Sequence, residues 1–156
     1  MTTSVDRVFA RPSLFERGFN RLFGAMVGLG LALPHNYLLQ VRGRKSGRLY
    51  SAPIDLLVID QRRFLVCPRG RSQWVRNAEA GGKVALKKGW ALRKFTIRAL
   101  PDDEKPEILE RYLDSFKLTV QRYFPLPAGS PAQSFAEFAN RYPVFELLAT
   151  EDSSQP

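Results

Sequence analysis

Residues 37–67 read YLLQVRGRKSGRLYSAPIDLLVIDQRRFLVC. Residues 37–41, YLLQV, are rich in β-formers and end at a Gly-Arg-Lys-Ser-Gly turn, residues 43–47. Residues 49–59 form a second apolar run, Ile59-Asp60-Gln61-Arg62 a tight turn, and residues 63–67 a third run. Strands that follow one another through turns this short pair antiparallel, because parallel pairing needs a long crossover. This stretch therefore predicts an antiparallel sheet.

On the N-terminal side, residues 1–12 read as a loose arm. Ser13 and Glu16 then make a capping box, and Leu14, Phe15, Phe19, Leu22, Phe23, Met26 and Val27 follow helical spacing. Gly28 and Gly30 weaken this helix and Pro34 stops it. The apolar run 22–33 has 12 residues, against about 20 needed to span a bilayer. On the C-terminal side, residues 68–72 are a loop and 73–80 a short helix broken by Gly81-Gly82. Residues 83–87 and 91–100 alternate apolar and polar around Lys88-Gly89-Trp90, as a half-buried hairpin requires. A helix with acids in its first turn runs from Pro101 to about Tyr123, a second covers 132–140, and residues 143–148 are a last strand. The order α–β–β–β–α–β–β–α–α–β gives an α+β class. Its six strands close most naturally into a small antiparallel barrel with flanking helices. One domain is expected over 13–149, with a polar tail at 150–156.

The formal charge is +9, and its distribution is uneven. Residues 40–98 hold 15 of the 24 Lys/Arg and 3 of the 15 Asp/Glu, so this middle is +12 (15 − 3) and the ends together are −3 (9 − 12). A basic centre points to a local anion site. The single cysteine, Cys67, excludes an internal disulfide and points to a reducing compartment. One cysteine and one histidine, His35, do not make a common zinc site, and a Ser-His-Asp or Cys-His enzyme would rest on His35 alone. The turn 43–47 sets a planar fork (Arg44), a point charge (Lys45) and a hydroxyl (Ser46) between two glycines, a set suited to phosphate or equally to a charged hairpin turn. A second basic loop, Cys67-Pro68-Arg69-Gly70-Arg71-Ser72, leads into a helix start at Gln73-Trp74, where a second anionic group could sit. The C-terminal aromatics Phe116, Tyr123, Phe124, Phe135, Phe138 and Tyr142 either wall a flat pocket or pack helices on the barrel, and packing is the simpler reading. Aromatics are not interleaved with the basic residues as nucleic-acid stacking platforms require.

The string Gly43-Arg44-Lys45-Ser46-Gly47-Arg48, then Ser51-Ala52-Pro53, a strand, a small loop, Trp74-Val75-Arg76-Asn77 and Lys83-Val84-Ala85-Leu86 resembles the deazaflavin-dependent nitroreductase and quinone reductase family. Tyr142-Pro143-Val144-Phe145-Glu146-Leu147 resembles that family's last strand, so the likeness spans roughly 36–148. It implies a flavin-binding split β-barrel, the coenzyme F-420 with its anionic tail, and hydride transfer to a quinone or nitroaromatic acceptor. Carried over residue by residue, it implies that Arg44, Lys45 and Ser46 hold phosphate or tail. Tyr50, Ser51, Ala52, Pro53, Cys67, Pro68, Arg69 and Gly70 would line the deazaflavin, and Gln73, Trp74 and Asn77 would flank ring or tail. This chain departs from the family at Tyr50, where a basic residue is common, and at Arg71-Ser72-Gln73, where an Asn-Pro pair is common. It also departs near Phe135 and Phe138, where an aromatic hydroxyl is common. Members of the fold also bind FMN, haem or fatty acids, so a non-catalytic binding protein is the alternative, with FMN the lesser cofactor candidate. The expected setting is cytoplasmic, with no nucleic-acid partner. A homodimer and a peripheral membrane contact through the 13–33 helix are left open.

Overall fold

The computed structural model describes residues 34–150. The expected arm, the 13–33 helix with its capping box, and most of the tail lie outside the described residues. Among the described residues are seven strands: β1 (Asn36–Arg42), β2 (Leu49–Asp55), β3 (Leu57–Ile59), β4 (Arg62–Val66), β5 (Lys83–Lys88), β6 (Ala91–Ala99) and β7 (Val144–Ala149). They make one antiparallel sheet in the order β2-β1-β5-β6-β7-β4-β3. Helix α1 (Gln73–Gly81) joins β4 to β5. A 3-10 turn (Asp102–Glu104) leads into α2 (Lys105–Val120), a second (Gln121–Tyr123) extends it, and a 3-10 helix (Ala132–Arg141) precedes β7.

The α+β class and the antiparallel split-barrel sheet match the expectation, but six strands become seven. The expected strand 49–59 is two, because the chain changes sheet edge at Leu56. There the backbone N–H of Leu56 donates to the carbonyl of His35 at 2.8 Å. Its side chain is buried on the inner face, while the adjacent Leu57 is buried on the outer face. The expected helix 101–123 is likewise divided, and 132–140 is 3-10 rather than α. Inside α2, Phe116 has φ −122° and ψ 24°, a local break in the helix.

Hydrophobic alternation sorts the core into two layers. Along β4 and the residue after it, Leu65 and Cys67 point inward, while Phe64 and Val66 point outward. The inner layer joins Leu39, Val41, Val84, Leu86, Phe95, Phe145 and Leu147 with Val75 and Ala78 of α1. The outer layer packs α2 and the last 3-10 helix on β3 and β4. Phe124 stacks on Tyr142 at 4.5 Å and meets Phe135 edge-on at 6.2 Å. The Tyr142 hydroxyl donates to the Tyr123 carbonyl at 2.6 Å. Packing thus accounts for Phe116, Phe124, Phe135 and Tyr142.

One polar group interrupts the outer face. Glu146 on β7 is 8% exposed and bridges Arg62 on β4 (2.6 Å) and Arg98 on β6 (3.1 Å). Arg98 reaches on to Glu104 at 2.9 Å. The hydrogen bond from Arg62, with further support from Arg98 and against burial, holds the Glu146 carboxyl below its ordinary value. A depressed carboxyl stabilises the fold above its unfolded pKa of 4.5 and loses that contribution as pH falls through the lower folded value. Glu146→Gln should lower unfolding free energy by about 1–2 kcal/mol near neutrality, since both arginines are partly exposed. Denaturant melts of both proteins should converge as pH falls from 4.5 through the lower folded value.

Candidate functional site

The basic turn between β1 and β2 is closed by its own backbone. The Gly43 N–H donates to the Arg48 carbonyl at 2.7 Å, and the Gly47 N–H to the Gly43 carbonyl at 2.9 Å. Gly47 has φ +71°, the left-handed region that glycine enters without strain. Gly43 is needed for space: a Cβ there would stand 2.6 Å from the Tyr50 ring and 2.9 Å from Ser46 Oγ. Ser46 Oγ accepts the Arg48 N–H at 3.2 Å and lies 3.5 Å from the Tyr50 hydroxyl.

This turn is latched to α1. Asn77 Oδ1 accepts the Arg44 backbone N–H at 3.1 Å and Arg44 Nη1 at 2.7 Å, and Gln73 Oε1 accepts Nη1 at 3.1 Å. Gln73 and Asn77 are four residues apart and share one helix face. Asn77 is buried, so its amide serves the turn rather than solvent. Helix α1 has no acid in its first turn, and its N-cap, Ser72, makes no side-chain cap. Instead Ser72 Oγ accepts the Cys67 thiol at 3.3 Å. Arg44, Lys45, Ser46 and Arg48 are exposed beside this helix. Cations, hydroxyl and helix amides together form a donor set for an anion.

From the turn, β2 runs along an edge of the sheet. Pro53 lacks an N–H to donate, which suits an edge strand. Ser51 is exposed, while Tyr50, Ala52 and Pro53 are half-buried. In the loop after β4, Gly70 has φ +86° and bonds back to the Cys67 carbonyl at 3.2 Å. Pro68 is half-buried and Arg69 exposed. Arg69 Nε donates to the Tyr123 hydroxyl at 3.1 Å, with its guanidinium 5.6 Å from the ring centre. Burial pushes the Tyr123 phenol up, but the Arg69 hydrogen bond and the charges of Arg69 and Arg122 outweigh it, leaving the phenol below its ordinary value. Trp74 rests on Phe145 at 6.1 Å against the inner core, and Cys67 is buried in that core. The anticipated residues therefore fall into separate groups. Arg44, Ser46, Tyr50, Gln73 and Asn77 come together, Arg69 joins Tyr123, and Cys67 is core.

Pro53 opens onto a cleft of about 710 Å³ between β2 and the end of α2. One wall is His35, Asn36 and residues 53–55, and the other is residues 117–119 with Gln121 and Arg122. His35 Nε2 lies 3.5 Å from Asp55 Oδ1, and Asn36 Nδ2 donates to the same oxygen at 2.7 Å. Sequence reasoning named Tyr123 among the aromatics that could wall a pocket but missed its contact with Arg69, and it missed the His35–Asp55 pair. The available signal was the β1–β2 register, which sets Asn36 opposite Asp55. Among the described residues no helix is long and apolar enough to cross a membrane, and no three His, Cys, Asp or Glu gather as a metal site.

Comparison with curated proteins gives no match. Among solved structures, an F420-H2 dependent reductase (FDR-A) superposes with a TM-score of 0.50 at 17% identity, covering 73% of this chain and 94% of that one. HutZ, a haem storage protein from Vibrio cholerae, superposes with a TM-score of 0.53 at 10% identity, covering 86% and 89%. A structure described as a domain-swapped dimer gives 0.51 at 15% identity, covering 85% and 96%. At these identities the likeness establishes the split-barrel fold alone. The model of the F420H(2)-dependent quinone reductase family matches residues 16–121, more than half of the chain. The chain belongs to this family of oxidoreductases, whose hydride donor is the reduced deazaflavin coenzyme F-420.

Proposed function

We propose that the chain reduces a small quinone or nitroaromatic with hydride from the deazaflavin coenzyme, holding the coenzyme's anionic end at the 43–48 turn. The observation that carries this reading is the latch of Arg44 onto Gln73 and Asn77, which fixes a basic turn beside the bare first turn of α1. The donor set fits such a group: exposed guanidinium and ammonium ions, a hydroxyl and helix amides match a phosphodiester and carboxylate tail. Lys45, exposed and without a partner among the described residues, would pair with that charge. Tyr50, Ser51, Ala52 and Pro53 on β2, together with Pro68, Arg69 and Gly70, would border the ring.

Bound in its reduced form, the coenzyme supplies a hydride, two electrons with one proton. The protein's own part is orientation and charge. Pro53 and Leu118 give the cleft apolar surface for a flat acceptor. Arg122 and Lys117 place positive charge where the reduced acceptor becomes negative. No nucleophilic side chain is needed.

Titration with oxidised coenzyme F-420, followed by fluorescence, should give saturable binding tighter than that of FMN. Lys45→Ala should weaken it about tenfold, the size of one charge-assisted contact, and added salt should weaken the wild type more than the variant. Equal binding by the two proteins at all salt concentrations would remove Lys45 from the site. Asn77→Ala should release the turn. It should cost about 1–3 kcal/mol of stability and speed amide exchange at residues 43–47, while leaving exchange on β6 and β7 unchanged.

A further inference from the structure

We propose that His35, positioned by Asp55, donates the proton that completes reduction of a quinone-type acceptor in the cleft between β2 and α2. The inference rests on the reductase reading above and extends it to the second half of the reaction. Hydride converts a quinone to the hydroquinone monoanion: one oxygen ends as a hydroxyl, the other as an oxyanion, and the coenzyme ends oxidised. A second proton is then required. The His35 N–H bond breaks, an O–H bond forms on the oxyanion, and neutral His35 regains its proton from water.

Three observations place His35 in that role. First, it lines the 710 Å³ cleft together with Pro53, which belongs to the strand proposed to border the ring. Second, its orientation is fixed on three sides. Its carbonyl accepts the Leu56 N–H, its ring lies 4.7 Å from the Phe116 ring, and Nε2 faces Asp55 at 3.5 Å. With Nε2 turned to Asp55, Nδ1 is the nitrogen left to donate. Third, its side chain is 31% exposed, so reprotonation from solvent is direct, whereas that of Asp55 is 17% exposed. Asp55 is itself held by Asn36 at 2.7 Å, with Thr119 Oγ1 at 3.5 Å. A base oriented by a carboxylate is the ordinary arrangement for a proton-transferring imidazole.

The surrounding charges favour the same direction of transfer. Lys117 and Arg122 face the cleft from the α2 side, so with His35 it holds three basic groups against the one carboxylate of Asp55. This balance stabilises an oxyanion before it is protonated. Burial raises the Asp55 carboxyl while the His35 charge, Thr119 and Asn36 lower it. Tyr112, packed beneath in α2, is held far above the phenol range by burial first and then by Asp55, so it stays neutral and does not compete. His35 is the chain's single histidine, so a substitution removes every imidazole at once.

The test has a readout without coenzyme. The anion of 2-hydroxy-1,4-naphthoquinone mimics the hydroquinone monoanion and can be titrated into the apoprotein by absorbance. His35→Gln should bind it about tenfold more weakly. In the loaded enzyme, His35→Gln should lower kcat with a quinone about 100-fold and leave KM nearly unchanged. Asp55→Asn, whose fold is checked by its own melt, should lower kcat by a smaller factor with KM again nearly unchanged. Analogue affinity and kcat both unchanged in His35→Gln would overturn the proposal. So would a kcat lost in Tyr123→Phe and kept in His35→Gln, since the donor would then be the phenol. Failure of wild-type protein to bind coenzyme F-420, with analogue binding still dependent on His35, would instead refute the reductase reading and leave the cleft assignment standing.

Discussion

The two edges of the sheet, β2 and β3, are consecutive in the chain and joined by one residue, Leu56. A flat seven-strand sheet would separate its edges by six strand spacings, roughly 28 Å, which one residue cannot cross. The sheet must therefore curl until its edges meet, and much of the architecture follows. The inner face becomes an enclosed core, Leu56 drops into it, and the helices are left to cover the outside. Because β2 and β3 do not pair, the barrel stays split.

The split leaves one strand edge open. A closed barrel would bind the polar backbone of β2 on both sides. Here one side of β2 is free of strand neighbours, and Pro53 has no donor to leave unpaired there. The end of α2 then stands across from β2 and makes the opening a cleft rather than a flat edge. At the other end of the same strand the turn 43–48 carries the positive charge. Four residues of extended chain, Leu49–Ala52, about 13 Å, thus separate the basic turn from the cleft, and a single rigid element sets both.

The sheet and its turn were largely legible in the sequence, because alternation, Gly-flanked turns and a charge cluster are local signals. Residues 83–100 read correctly as a hairpin, with Val84, Leu86 and Phe95 turned inward. The break at Leu56 was not legible: Leu56 and Leu57 are both apolar, and nothing local says that they face opposite layers. The basic turn could be recognised as an anion candidate, but its latch to Asn77 joins residues 33 apart and depends on how α1 packs. Arg69–Tyr123 was missed for the same reason, since it is made by packing between segments far apart in the chain, whereas His35–Asp55 follows only once the register of the β1–β2 hairpin is known. Cys67 shows the converse. Its neighbours in sequence placed it with the ring-bordering loop, whereas strand alternation turns it into the core.

Strand β7 has one further consequence, for the order in which the molecule can be assembled. The pairs β1–β2, β3–β4 and β5–β6 are sequence-local hairpins, so each closes a short loop and can form early. β7 alone joins β6 to β4, and Glu146 on it bridges one arginine from each. Until it docks, the sheet exists as a four-strand half and a two-strand half with open edges towards each other. During synthesis that gap persists until the segment 144–149 has left the ribosome, and it is the interval in which a nascent chain of this topology is most exposed to pairing with the wrong strand.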